Sequence, residues 1–322
     1  MPRILLTNHY SAGPLAFINK LVPTGFELIA LEQPGQEEVI RKIPHADYLL
    51  VGGRTRIDRK VLGSASKLKM IQRSGVGLDS LDLDAIRERK LPLYVNEGVN
   101  ARSVAEHTVM LMLATLRKVA IVNATTKNGE WVKHDVGINC HNLYGKQVGL
   151  IGLGNIGEQV AAMLKGFGVN LTYFKRKPLS FDKERELNIR YLPLQELLAT
   201  SDIISLHCSL STETTDLLSI DELARVKTGS VLINTARGGL VNETALLGAL
   251  KSGHLAGAGL DVFTKEPLAA GHPFFEQDNL LLTPHIASIT AETFADMMSR
   301  AFSNIALFDA GKEIKMTAKR VI

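Results

Sequence analysis

Short apolar runs separated by polar, helix-compatible stretches set the rhythm of this chain. "RILLT", "FELIAL", "ADYLLVG", "LKMIQ" and "LPLYVN" read as strands up to about Asn96, with "GQEEVIRKI" and "DLDAIRERK" as helical segments between them. Such alternation predicts parallel βαβ units covered by helices. At Ala101 the pattern changes. "ARSVAEHTVMLMLATLRKVAIVNAT" has no Gly or Pro and carries apolar side chains on nearly every face of its middle. It predicts one long helix buried between domains or subunits. A second alternating series opens at "KQVGLIG" and continues through "VNLTYF", "DIISLHC", "SVLINTA", "AGAGLDVF" and "NLLLTPH". Its helical segments include "NIGEQVAAMLKGF", "SIDELARVK" and "ETALLGALKSG"; in "SIDE", Ser219 and Glu222 have the spacing of a capping box. The closing "AETFADMMSRAFSNIALFDAG" follows the last strand of that series and is expected to return to the first domain. The fold class is therefore α/β, with two doubly wound parallel-sheet domains.

Composition narrows the function classes. The chain has 322 residues, 45% apolar and 22% charged, with a formal charge of +4. That balance suits a globular protein of two domains and argues against a disordered one. Lys and Arg form no basic run of the kind a nucleic-acid binder concentrates on one element. The longest apolar stretches are about half of the ~20 residues that cross a bilayer, so no membrane role is expected. "MPRILLTNHY" reads as a first strand and lacks a signal-peptide core, which points to the cytoplasm. Cys140 and Cys208 are too few for a Cys-rich zinc cluster or a disulfide scaffold, and no metal is expected.

The first chemical signal is "GLGNIG", which lies after an apolar strand and before a helix. Gly152 permits a tight turn, Gly154 lets a pyrophosphate approach the backbone, and Gly157 allows close helix–strand packing. Leu153, Asn155 and Ile156 complete the loop, whose amides at the helix start face negative charge. At the end of the next strand an NAD-selective site carries an acid for the adenosine ribose hydroxyls. Here Phe174 is followed by Lys175, Arg176 and Lys177, with no acid until Asp182. A solvated turn would tolerate these cations, but their presence together with the missing acid favours a 2′-phosphate. The expected cofactor is NADPH, with NADH possible, and Lys175 and Arg176 carry the preference.

Three further residues follow three later strands. Arg237 stands in "NTARGG", Glu266 in "DVFTKEP" and His285 in "LLTPHIAS". Open parallel sheets place their working crevice outside the carboxyl ends of the strands, so the three can converge. Together they suit interconversion of a 2-keto acid and a 2-hydroxy acid. Arg237 offers a fork for the carboxylate and polarises the adjacent carbonyl. His285 exchanges a proton with the carbonyl oxygen, and Glu266 orients the imidazole and favours its charged form. Asp261, at the end of an apolar strand, needs a partner, for which the nicotinamide amide is one candidate and an internal donor the other. Arg54 and Arg56 in "GGRTRI" read as a solvated loop, with contact to a substrate phosphate as the alternative.

The ordered series "SGVGLDSLD", "NARSVAEHTVMLMLA", "GLIGLGNIG", "NTARGGLVNETALLGAL", "GAGLDVFTKEPL" and "LLTPHIAS" resembles the D-isomer-specific 2-hydroxyacid dehydrogenase family over essentially the whole chain. The resemblance implies a discontinuous substrate-binding domain, residues 1–99 plus 291–322, and a Rossmann domain over 100–290, with the active site in the cleft between them. It implies that backbone groups at Val76 and Gly77 bind the substrate carboxylate, with Asn100 near the substrate and Ser103 near the cofactor. His207, Cys208, Ser209, Thr235, Ala236 and Arg237 would line the nicotinamide side, together with Asp261 and His285. It also implies a homodimer formed through the cofactor domain, with 101–123 and the arm around Trp131 contributing. Ser80 replaces the asparagine common in the first motif.

The expected function is reduction of a small 2-keto acid, glyoxylate or hydroxypyruvate, to the D-2-hydroxy acid with NADPH. The basic segment is similar to the glyoxylate/hydroxypyruvate reductase branch, and Glu266 beside His285 favours ketone reduction over formate oxidation. The alternative enzyme reading is an NAD-dependent D-2-hydroxyacid dehydrogenase such as phosphoglycerate dehydrogenase. The alternative of another class is a nucleotide-sensing, co-repressor-like binding protein, which would not need all three catalytic groups.

Overall fold

In chain order the strands are β1 (Arg3–Leu6), β2 (Glu27–Ile29), β3 (Tyr48–Val51), β4 (Met70–Arg73), β5 (Leu93–Asn96), β6 (Gln147–Ile151), β7 (Asn170–Phe174), β8 (Ile189–Tyr191), β9 (Ile203–Leu206), β10 (Ser230–Asn234), β11 (Leu255–Leu260), β12 (Leu280–Leu282) and β13 (Ala318–Arg320). The computed structural model describes residues 1–53, 55–314 and 318–322, so Arg54 lies outside the described residues. The chain forms two compact units, Met1–Asn100 with Thr290–Ile322, and Ala101–Ile289.

The first unit holds a sheet in the order β13-β5-β4-β3-β1-β2, parallel except for β13, which runs antiparallel to β5. Strands β3 and β4 are buried along their whole length, as expected for strands covered on both faces. The helix Ala291–Asp309 returns to this sheet. Its Met298, Ala301, Phe302 and Ile305 share a core with Ile4, Leu6, Ile18 and Tyr48. Asn304 Nδ2 adds hydrogen bonds to Gln72 and Asn96, both at 3.2 Å, so the buried amides are satisfied together.

The second unit holds a sheet in the order β12-β11-β10-β9-β6-β7-β8, all parallel. Chain order reverses between β6 and β9, which makes their carboxyl ends a topological switch point. The capping box at Ser219 is present, with the Ser219 amide donating to Glu222 Oε2 at 3.2 Å.

The long helix expected from Ala101 is broken. It runs as Ala101–Leu116 and resumes as Val119–Lys127 at 63° to the first part. Lys118 sits at the break with φ 50, a left-handed conformation that ends an α-helix. The first segment buries Val104, Ala105, Thr108, Leu111 and Met112 on the sheet of its own unit, whereas the second buries none of its residues. Among the described residues no single helix is long and apolar enough to cross a membrane. Strands β8 and β13 also lie beyond the sequence expectation. Both are three-residue edge strands, "IRY" and "AKR", and polar edges leave no apolar run to read.

Candidate active site

The glycine loop begins at the switch point, directly after β6. Gly152 has φ 94, and a Cβ there would lie 2.6 Å from Cys208 N and the His207 carbonyl carbon. The loop after β6 therefore lies flat against the loop after β9, and a side chain at this position would separate them. A Cβ on Gly157 would approach Gly152 O to 2.7 Å, so the first turn of the helix Asn155–Leu164 packs on the loop it leaves. Gly154, the N-cap of that helix, is exposed and faces open space. Two glycines make the turn compact and the third leaves it open beside the helix amides. That cradle fits a dinucleotide pyrophosphate.

The basic segment leaves β7 next to this loop. Lys175 Nζ donates to Leu153 O at 3.1 Å, so its ammonium already spans to the glycine turn. Arg176 and Lys177 are exposed. A carboxylate absent from the sequence expectation faces this region from the loop after β9. The Glu213 carboxyl is held below the usual carboxylate range, chiefly by the Ser211 hydroxyl and more weakly by the charge of Arg176. It was not legible in sequence because it lies 37 positions from Arg176 and no local motif marks it.

Arg237 follows β10 in a braced turn. Asn234 Nδ2 donates to Arg237 O at 2.8 Å, and Asn234 Oδ1 accepts from Ala236 N at 3.0 Å. Thr235 is buried, with its hydroxyl 2.8 Å from that of Thr108 on the helix Ala101–Leu116. Gly238 adds a constraint that "RGG" alone does not reveal. A Cβ there would overlap the Phe263 carbonyl and the Thr264 amide, so the turn after β10 is pressed against the turn after β11. Arg237 and the segment leading to Glu266 are thereby held on adjoining turns.

Glu266 and His285 are paired. Glu266 Oε1 accepts from Phe263 N at 3.0 Å, and Glu266 Oε2 lies 2.7 Å from His285 Nδ1. A carboxylate only accepts, so Nδ1 carries the proton and Nε2 remains for substrate. The imidazole keeps 36% of its side-chain surface exposed, against 16% for Glu266, so the acid is sheltered and the proton carrier accessible. His285 has φ 55, a backbone conformation that costs a non-glycine residue of order 1–3 kcal/mol. The side chain is held there by what surrounds it.

Asp261, after β11, is fully buried. Its Oδ1 accepts from the Thr283 hydroxyl at 2.5 Å and Ile286 N at 2.9 Å, and its Oδ2 from Ala287 N at 2.9 Å. These internal donors supply partners for a carboxylate that the sequence showed at a strand end. His207 follows β9, with Nε2 2.9 Å from Ser205 Oγ. Burial pushes its imidazole down to about 4, and pushes the neighbouring Cys208 thiol up to about 11, so both are neutral near pH 7. Ser209 is exposed beside them. Ser103 lies in the first turn of Ala101–Leu116, while Val76, Gly77 and Asn100 belong to the other unit, the first two in the loop after β4. Among the described residues, no group of three or more His, Cys, Asp or Glu could hold a metal ion.

The NAD-binding domain model of the D-isomer specific 2-hydroxyacid dehydrogenases matches residues 109–287. The chain belongs to that family. A glyoxylate reductase from Korarchaeum cryptofilum is 34% identical over 316 residues, covering 97% of this chain and 94% of that protein. A D-3-phosphoglycerate dehydrogenase from Mycobacterium leprae is 35% identical over 292 residues, covering 91% of this chain and 54% of the relative, so this chain spans about half its length. The solved structure of a Thermus thermophilus protein matches with a TM-score of 0.88 at 34% identity, covering 99% of this chain and 100% of the other. For this 2-hydroxyacid dehydrogenase family member, the matched segment takes in the glycine loop, the basic segment and the Arg237, Glu266 and His285 positions.

Proposed function

We propose that this chain is an NADPH-preferring reductase of small 2-keto acids, glyoxylate or hydroxypyruvate, forming the D-2-hydroxy acid. The observation that carries the reading is the 2.7 Å Glu266–His285 pair in the loops after β11 and β12, the first of which is pressed against the turn of Arg237. A reduced nicotinamide, when bound, supplies hydride to the carbonyl carbon. The chain's own residues do the rest. The Arg237 guanidinium holds the carboxylate and draws charge onto the keto oxygen. Glu266 fixes the His285 tautomer and stabilises the imidazolium, whose Nε2 gives its proton to the developing alkoxide. Backbone groups at Val76 and Gly77 are assigned to the substrate carboxylate, and Asn100 to the substrate's surroundings, by family resemblance. Ser103, His207, Cys208, Ser209, Thr235 and Ala236 are assigned to the cofactor on the same ground.

A steady-state substrate panel tests this reading. Glyoxylate or hydroxypyruvate should turn over with NADPH; failure of both, with another keto acid reduced well, defeats the substrate assignment. The second reading, NAD-linked oxidation of a D-2-hydroxy acid such as phosphoglycerate, is favoured by the name of the Mycobacterium leprae relative. The same panel run in the oxidative direction separates the two.

Cofactor preference is assigned to Lys175 and Arg176. Replacing both by Ala should lower kcat/KM with NADPH by roughly 10- to 100-fold relative to NADH, the scale of one or two charge-assisted hydrogen bonds. Because Lys175 is tied to Leu153 O, Arg176→Ala should account for more of that loss than Lys175→Ala. An unchanged NADPH/NADH ratio in the double variant would refute the assignment.

We also assign a homodimer to the cofactor unit. Val119, Val122 and Trp131 are exposed and line an apolar groove of about 790 Å³ with Val132 and Val136. Trp131, 83% exposed, is a large apolar side chain that a partner would cover. Sedimentation should give a dimer that Trp131→Asp converts to monomer, and a monomeric wild type would contradict it. The free thiols Cys140 and Cys208 suit a reducing compartment, which supports a cytoplasmic setting.

A further inference from the structure

His107, Thr283 and Asp261 form a chain of hydrogen bonds beneath the segment that carries His285. His107, on the helix Ala101–Leu116, places Nε2 3.0 Å from Thr283 Oγ1 and 3.6 Å from Asp261 Oδ1. The Thr283 hydroxyl donates to Asp261 Oδ1 at 2.5 Å, and the same carboxylate accepts from the amides of Ile286 and Ala287. Proton accounting gives this chain one direction. Thr283 has a single hydroxyl proton and spends it on Asp261, so Oγ1 can only accept from His107, whose Nε2 must carry a proton. Desolvation holds the His107 imidazole below the ordinary histidine value, although the Asp261 charge pulls the other way. The neutral Nε2–H tautomer satisfies both conditions.

The position of this network matters more than its satisfaction. Thr283 stands two residues before His285, and Ile286 and Ala287 are the next two after it. Asp261 therefore grips the strained residue from both sides. We propose that Thr283 and His107 are positioning residues for the reaction, acting through Asp261 to hold His285 in the left-handed conformation that turns Nδ1 to Glu266 and leaves Nε2 for substrate. The inference rests on the reductase reading for its kinetic consequence, and on His285 geometry alone for its structural one.

The test compares Thr283→Val, Thr283→Ser and His107→Leu. Thr283→Val keeps the shape but removes both the donor to Asp261 and the acceptor for His107. It should lower kcat about tenfold while KM for the keto acid and for NADPH stays within about twofold, and Thr283→Ser should restore most of the loss; tenfold in rate corresponds to about 1.4 kcal/mol. His107→Leu should shift kcat in the same direction by less, because Thr283 still reaches Asp261. In protein labelled with 15N-histidine, the His285 Nδ1–H signal, identified by its absence from His285→Gln, should weaken in Thr283→Val and return in Thr283→Ser. A wild-type kcat in Thr283→Val, or an unchanged Nδ1–H signal, overturns the proposal. Should Thr283→Val not fold, His107→Leu decides on the same two readouts. A wild type that reduces no 2-keto acid would count against the reductase reading, and the Nδ1–H signal would then decide this inference by itself.

Discussion

His285→Gln is expected to lower kcat for 2-keto acid reduction by roughly 100- to 10,000-fold, the range over which a positioned general acid contributes. Glutamine can still donate a hydrogen bond to the keto oxygen, but it cannot surrender a proton to the alkoxide as hydride arrives. Cofactor affinity should stay near wild type, because the glycine cradle and the basic segment lie on β6 and β7, away from β12. Glu266→Gln should cost less, since its amide can still orient the ring while no longer stabilising the imidazolium. Stopped and steady-state rates of NADPH oxidation measure all of this, and a loss under tenfold would remove His285 from its role.

Gly238→Ala should be nearly as damaging although glycine carries no chemistry. The added methyl would overlap the Phe263 carbonyl and the Thr264 amide. Both are backbone, so the clash cannot be relieved by turning a side chain. Overpacking of this kind costs about 1–3 kcal/mol, and displacement of a catalytic group by ~1 Å can cost about 100-fold in rate. The displacement has a direct route to the chemistry, because Phe263 N is the donor that holds Glu266 Oε1. A fall in kcat/KM of roughly 100-fold with a lower melting temperature is expected. Gly239→Ala is the matched control. Its Cβ would have the Leu210 side chain as its nearest neighbour, at 3.2–3.3 Å, and that side chain can give way. Equal activity for the two variants would show that the approach of the β10 and β11 turns is not what holds the site.

The glycine loop was legible because its strand, turn and helix are contiguous and its chemistry is local. Arg237, Glu266 and His285 could be read as strand-end residues, since apolar runs mark where each strand stops. Their mutual bracing could not. That Asp261 serves the loop around His285 depends on amides 25 and 26 residues away. The need for Gly238 arises from Phe263, which approaches only once β10 and β11 pair. The break at Lys118 has no Gly or Pro to announce it; a lysine adopts the left-handed conformation there. Strands β8 and β13 stayed hidden because edge strands do not need an apolar run.

The most direct measurement is a crystal structure of the protein with NADP⁺ and a keto-acid analogue that cannot be reduced. His285 Nε2 should lie about 2.6–3.2 Å from the oxygen that stands for the keto group, with Arg237 on the carboxylate and Glu266 still on Nδ1. An imidazole turned away from that oxygen, with no water bridging the gap, would contradict the account.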